Sequence, residues 1–263
     1  MINQSNIDRF VGFADVYDKH RPSAPKAVAD IIKLYLGKTP ETVADIGCGT
    51  GLSTMIWTGI ASSVIGVEPG DDMRAVAKAK AAACKNVRFI KGYSNNTGLD
   101  SASVDAVTIS QAFHWMDYGS TLREASRILK PGGVFAVYDC DWPPAVDWQI
   151  EREYNRLYKI CDEISSRAES SVERKNKEKH LAAIQDCGLF AYTREIVFHN
   201  SEPLNAERMT GILLSQGGVQ TAMKADKSVK SELERFSAFI RERMGKKAID
   251  AVFSYRIRLG VKE

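Results

Sequence analysis

No two of the five cysteines, Cys48, Cys84, Cys140, Cys161 and Cys187, stand in a CxxC spacing, and their number is odd. That pattern excludes a disulfide framework and gives no basis for a structural zinc site, so reduced thiols and no metal are expected. Uninterrupted apolar runs of membrane-spanning length are also missing. MINQSNIDRF lacks a basic segment followed by an apolar one, which makes the cytoplasm the expected location. Charge of one sign is scarce: 36 Lys and Arg stand against 33 Asp and Glu, a net +3. That balance argues against nucleic acid or a membrane surface as the partner. The densest charged run, Arg167 to His180, mixes Arg174, Lys175, Lys177 and Lys179 with Glu169, Glu173 and Glu178 and is expected to be a solvated helix face. Internal repeats and low-complexity linkers are absent, and 263 residues suffice for one domain with an elaboration.

What the chain does have is concentrated at Thr42 to Gly51, TVADIGCGTG. Thr42 to Ile46 is short and apolar and ends at glycine, as a buried parallel strand does. Gly47, Gly49 and Gly51 alternate with Cys48 and Thr50, and a periodic segment from Leu52 to Ile60 predicts a helix. Glycines in such a turn let a ligand approach the backbone closely. The dinucleotide fingerprint GxGxxG, which would signal an NAD-dependent oxidoreductase, is not met, because Leu52 occupies the third glycine position. Asp45, two residues before Gly47, suits a cationic ligand better than a diphosphate.

Further acids and aromatics fall at strand ends. Ser63 to Val67 predicts a second strand ending at Glu68, whose paired carboxylate oxygens match two ribose hydroxyls. Pro69-Gly70 turns the chain into a helix from Met73 to Ala83, with Asp71 and Asp72 as caps. Asn86 to Lys91 predicts a third strand, followed by a loop containing Tyr93, Ser94 and Asn95. Ser103 to Ser110 predicts a fourth strand running into QAFHWMD, Gln111 to Asp117. In an open α/β sheet this cluster faces the same crevice as the glycine turn. There Gln111 and His114 offer hydrogen bonds, while Phe113 and Trp115 line a pocket for a cation. A helix from Tyr118 to Leu129, the LKPGG turn and a fifth strand from Val134 to Cys140 complete the regular part. Beyond Asp141 the pattern is helical, around Tyr154 to Ile164 and Leu181 to Ile184. A strand from Thr193 to His199, a helix from Ala206 to Ser215 stopped by Gln-Gly-Gly, a helix around Phe236 to Ile240 and a last strand from Ala251 to Val261 follow. For Trp142, Ser215 and Gln216 a structural role is expected ahead of the alternative that they face a bound substrate.

The glycine turn with Asp45 resembles motif I of the class I S-adenosylmethionine (SAM)-dependent methyltransferases, of the type 11-like kind. QAFHWMD and the Tyr17…Arg21-Pro22 element resemble the trans-aconitate methyltransferase-type subgroup. The resemblance spans most of residues 10 to 140. It implies an α/β Rossmann-like fold, a seven-stranded, mostly parallel sheet with an antiparallel last strand and a helical lid insertion. It further implies one domain over residues 1–263, with a SAM-binding core at about 38–140, an N-terminal lid at 1–37 and an acceptor lid at about 141–191 and 203–250. The cofactor contacts it implies are Asp45, Gly47, Cys48, Gly49, Gly51, Glu68, Pro69, Met73, Ser94, Asn95 and Gln111. Tyr17 and Arg21 face the SAM carboxylate or the acceptor. In the loop after the third strand the sequence departs from the family pattern, which leaves the adenine contact open between Ser94 and a backbone amide. His20, Phe113, His114 and Trp115 would surround a small-molecule acceptor, a carboxylate, hydroxyl or carbon. His114 and, after it, Tyr17 and His20 are the candidates for a base, and Arg21 for a clamp. Methyl transfer in a monomer or homodimer is expected, with a non-catalytic SAM-binding protein as the alternative.

Overall fold

A computed structural model describes residues 4–168 and 172–263. Helices α1 (Gln4–Asp8), α2 (Ala14–His20) and α3 (Lys26–Leu36) precede the sheet. Seven strands follow the order β3-β2-β1-β4-β5-β7-β6, formed by β1 (Thr42–Ile46), β2 (Ser63–Val67), β3 (Val87–Ile90), β4 (Val104–Ser110), β5 (Leu129–Cys140), β6 (Tyr192–Leu204) and β7 (Ile249–Val261). The first five pair in parallel, and β7 runs antiparallel between β5 and β6. This is the expected Rossmann-like sheet.

Alternation along the strands supplies two apolar faces. Val43, Val64, Ala106 and Ala136 pack with Val28 and Ile32 of α3 and with Trp57. Ala44, Ile65, Val107 and Val137 pack on the opposite face, against Leu122 and Ile128 of one helix and Ile184 of another. Those helices belong to the remaining set, α4 (Asp71–Lys80), α5 (Tyr118–Ile128), α6 (Trp148–Ala168), α7 (His180–Asp186), α8 (Ala206–Leu214), α9 (Gly217–Ala225) and α10 (Ser228–Met244). A separate core joins α6, α8, α9 and α10 to Cys140, Phe253 and Tyr255 at the ends of β5 and β7. A helical layer therefore sits over the carboxyl ends of the strands.

Several local expectations give way. Leu52 to Ile60 forms no α-helix but turns around a short 3-10 helix, Thr54–Trp57, because the Ser53 and Thr54 hydroxyls are drawn to Asp45. Asp71 and Asp72 do not cap α4, whose cap position is Gly70 without a side-chain bond. The Asp71 carboxylate pairs with Arg74 instead, and Asp72 accepts the Gly12 N–H at 3.0 Å. Gln216-Gly217-Gly218 starts α9 rather than stopping α8. Arg9 crosses close to this turn, since a Cβ on Gly217 would lie 2.9 Å from its Nε.

The charged run is not a helix face. Residues 172–176 lack regular structure and lead into a 3-10 helix, Lys177–Lys179; Glu169 lies outside the described residues. The backbone groups of this strap are spent across the molecule. Asn6 Nδ2 donates to Glu173 O and Asn6 Oδ1 accepts the Glu173 N–H, while the Lys175 N–H donates to His114 O. Among the described residues no helix is long and apolar enough to cross a membrane.

Candidate active site

Strand order reverses between β1 and β4, and ligand crevices form at such a switch point beyond the carboxyl ends of the strands. A cavity of about 760 Å³ opens there, lined by Gly47 and Gly49 after β1, Glu68 after β2, and Ser110 and Gln111 at the end of β4. Gly47 adopts φ +66°, and a Cβ on it would meet Met116 Cε at 2.7 Å. The turn thus needs glycine both for its conformation and for its packing.

Asp45 is placed beneath the turn rather than in the cavity. It is wholly buried, with Oδ2 accepting the hydroxyls of Ser53 (2.6 Å) and Thr54 (2.7 Å) and Oδ1 that of Thr108 (2.8 Å). Burial raises its pKa, and the three hydroxyls offset part of that rise. Its role is to fix the turn to β4. Gly51 also lies behind the turn, against Phe89 and Ala77, while Cys48 packs with them and lines a small space beside Gly47, Gly49 and Tyr17.

Glu68 does line the cavity, together with Pro69 and Met73. Its Oε2 accepts the Gly49 N–H at 2.9 Å and its Oε1 the Gly70 N–H at 2.8 Å. Burial pushes its pKa up, opposed by those two bonds and by Arg74. Each carboxylate oxygen keeps a further lone pair for a ligand. Ser94 and Asn95 line the same wall. Ser94 Oγ accepts from Thr121, whereas Asn95 Oδ1 is buried without a partner, an acceptor awaiting a donor. A ribose diol at Glu68 and an amino group at Asn95 are the donors that a nucleoside such as that of SAM would bring.

A second cavity of about 220 Å³ shares Phe10, Tyr17, Gln111 and Trp115 with the first. Gln111 takes φ +53°, unusual for a residue with a side chain. Its Nε2 donates to Cys140 O at 3.3 Å, and its Oε1 accepts from Lys177 Nζ at 3.0 Å. His114 lines this second space alone, and Arg21 lines both it and a small space of about 40 Å³ beside Gly47, Cys48 and Gly49; neither lines the larger cavity. Phe113 lines neither: it is fully buried and stacks on Tyr118, with ring centroids 4.4 Å apart. His20 lines neither as well, since its ring packs onto Gly211 of α8.

His114 is nearly buried, its Nδ1 lying 3.8 Å from Asp139 Oδ1. Burial, and then Lys177, push its pKa well below the ordinary value, with Asp139 opposing, so the ring is neutral. Burial penalises the Asp139 charge, yet His180, Lys177 and His114 hold its carboxyl well below the usual range. Arg258 completes this set at 3.1 Å. The cluster is a signal that sequence reading missed, because its members are scattered from 114 to 258. Trp142 and Gln216, expected to be structural, line the second cavity.

Comparison with known proteins gives the same picture. Residues 44–137 match the family model described as a methyltransferase domain. A Saccharomyces cerevisiae protein named as a probable SAM-dependent methyltransferase is 32% identical over 137 residues, covering 50% of this chain and 47% of that protein. The ubiquinone/menaquinone biosynthesis C-methyltransferase of Campylobacter jejuni is 34% identical over 122 residues, 43% of this chain and 50% of that one. The chain thus spans about half the length of these relatives. A structure from Anaeromyxobacter dehalogenans, provisionally named a type II methyltransferase, superposes with TM-score 0.68 at 21% identity, covering 92% of this chain and 97% of its own. A SAM-dependent methyltransferase from Thermotoga maritima does so with TM-score 0.52 at 18% identity, covering 98% and 99%. These two show the fold.

Proposed function

We propose that this chain, which carries a methyltransferase domain at residues 44–137, is a SAM-dependent methyltransferase acting on a small molecule. SAM occupies the larger cavity, with its ribose on Glu68, its adenine beside Ser94 and Asn95, and its methionine end over Gly47 and Gly49. The acceptor occupies the smaller cavity. When bound, SAM supplies an already activated methyl group, so the protein's task is to position the two partners and exclude water. Tyr17, Gln111 and Trp115 stand between the two spaces, where methyl transfer would occur.

The observation that carries this reading is the junction itself: a nucleoside-sized cavity built on a glycine turn and Glu68 meets a second, smaller space at uncharged side chains. A volume of about 220 Å³ suits a small acceptor, below the ~300–1,000 Å³ of sites for drug-sized ligands. The Tyr17…Arg21-Pro22 and QAFHWMD resemblance supports placement near the trans-aconitate-type enzymes. A balanced charge supports a metabolite rather than nucleic acid or a membrane as the partner, and five scattered cysteines without a CxxC support a cytoplasmic enzyme, which we take to work as a monomer or homodimer. Calorimetry with S-adenosylhomocysteine and transfer of labelled methyl from SAM to metabolite extracts test it. Binding together with a labelled small product is expected; absence of S-adenosylhomocysteine binding would refute the donor assignment, and binding without transfer to any small molecule would refute the activity.

A further inference from the structure

The smaller cavity is cationic. Arg9, Arg21, Arg174 and Lys177 line it, and Asp141 is the one acid among its described lining residues. Two of these charges are already met inside the protein: Lys177 Nζ lies 2.9 Å from Asp139, and Asp141 turns to Arg256 at 3.3 Å. Arg21 differs. Its guanidinium lies between the rings of Tyr17 (5.0 Å) and Trp142 (4.7 Å). Nε donates to Ser215 Oγ at 2.8 Å, and Nη2 donates to Ser215 O at 3.2 Å and Gln216 Oε1 at 2.8 Å. Gln216 is oriented for this by its own Nε2 bond to the Tyr154 hydroxyl at 3.2 Å. All three acceptors are neutral, no carboxylate among the described residues pairs with Arg21, and its Nη1 donates to none of them. Arg174 is held over Trp115 at 5.8 Å and donates from Nη1 to the Tyr158 hydroxyl at 3.1 Å, with Asp162 only at 4.0 Å. A fixed, uncompensated guanidinium beside aromatic walls is built to receive an anion.

We infer that the acceptor carries an anionic group which Arg21 and Arg174 anchor, and that a different atom of the acceptor receives the methyl group. The inference rests on the proposed placement of SAM in the larger cavity. Two observations separate the anchor from the methylated atom. Four cations line the smaller cavity against one acid, whereas in the larger Lys175 stands among Glu68, Asp72, Asp117 and Glu173, and the four side chains common to both, Phe10, Tyr17, Gln111 and Trp115, are uncharged. Ion pairing and hydrogen bonding to a guanidinium also stabilise a carboxylate's lone pairs and make it a weaker nucleophile. The compact volume and aromatic walls fit an acceptor with a single ring or a short apolar body.

Benzoate, benzenesulfonate and neutral benzamide are the probes, titrated by calorimetry into the protein with and without S-adenosylhomocysteine. Both anions are expected to bind about tenfold or more tightly than benzamide, the difference that one charge-assisted contact gives. Arg21→Gln and, separately, the more exposed Arg174→Gln should shrink that preference while S-adenosylhomocysteine binds as before. Benzamide binding as well as benzoate, or anion preference that survives both substitutions, overturns the anchor. Saturating benzoate supplied with SAM should yield no methyl benzoate; its appearance shows that the anchored group is itself methylated. Loss of S-adenosylhomocysteine binding in the unsubstituted protein would count against the donor site, and the titrations without it still decide the anion subsite.

Discussion

Glu68 reaches back across the glycine turn to accept the backbone N–H of Gly49 at 2.9 Å. One carboxylate therefore shapes the turn and faces the cavity at once. Glu68→Gln keeps the shape but leaves one amide oxygen to serve Gly49, Gly70 and a ribose. Because a hydrogen bond to a charged group contributes ~1.5–3 kcal/mol, S-adenosylhomocysteine affinity should fall roughly 10- to 100-fold. Calorimetry measures this, and an unchanged affinity would remove Glu68 from the ribose site.

Asp45 makes the contrasting case. Its removal leaves three buried hydroxyls without their acceptor, so Asp45→Ala should destabilise the fold by about 3 kcal/mol or more, at ~1–3 kcal/mol per orphaned group. Urea unfolding would show the midpoint drop. Asp45→Asn, which retains one acceptor oxygen, should lose less. Were Asp45 a direct ligand contact, the asparagine variant would instead lose affinity at nearly constant stability.

How far the sequence carries can be seen in these same residues. Strands were legible because their apolar runs end at glycine or an acid, and Glu68 could be placed because its strand has no other exit. Asp45 was placed correctly in the chain but aimed at the ligand, since an acid ahead of a glycine turn reads the same whether it faces up or down. Only the hydroxyls of Ser53, Thr54 and Thr108 decide its direction, and Thr108 comes from another strand. Likewise QAFHWMD pointed to a pocket, but the 3-10 turn Phe113–Trp115 sends Phe113 into the core and Trp115 to the junction. Alternation of that kind is not fixed by spacing alone. The cation set of the smaller cavity had no motif, because Arg9 follows α1, Arg21 follows α2, and Arg174 and Lys177 come from the strap far along the chain.

The neutral, buried His114 predicts a pH dependence of stability. Unfolded, it takes a proton near 6.5; folded, burial and Lys177 hold its pKa well below that. Below about pH 6.5 the unfolded chain therefore binds more protons, and stability falls as pH is lowered. The full contribution is present above 6.5. One group supplies at most ~1.4 kcal/mol per pH unit, so His114→Gln should flatten the decline between pH 6.5 and 5.5 by about 1 kcal/mol. Urea midpoints at both pH values check it, and an equally steep decline in the variant would place the titration elsewhere.

The contact of His20 with Gly211 gives a last prediction, one that separates a docking role from a catalytic one. A Cβ on Gly211 would sit 2.2 Å from Cγ and Nδ1 of the imidazole, close to the root of the half-buried side chain, so the ring would have to shift. Around it Lys19 pairs with Glu207 at 2.7 Å and Arg208 donates to the His20 carbonyl at 3.4 Å. His20 is thus the point at which α2, which carries Tyr17 and leads to Arg21, is seated on α8. Gly211→Ala should cost ~1–3 kcal/mol through overpacking and should weaken benzoate binding by displacing Arg21. Removing the imidazole makes room for the new methyl group, so His20→Ala combined with Gly211→Ala should be more stable than the sum of the single changes requires. Additive effects in that double-mutant cycle would mean that the two helices are not joined through this ring, and His20 would return as a candidate for the chemistry.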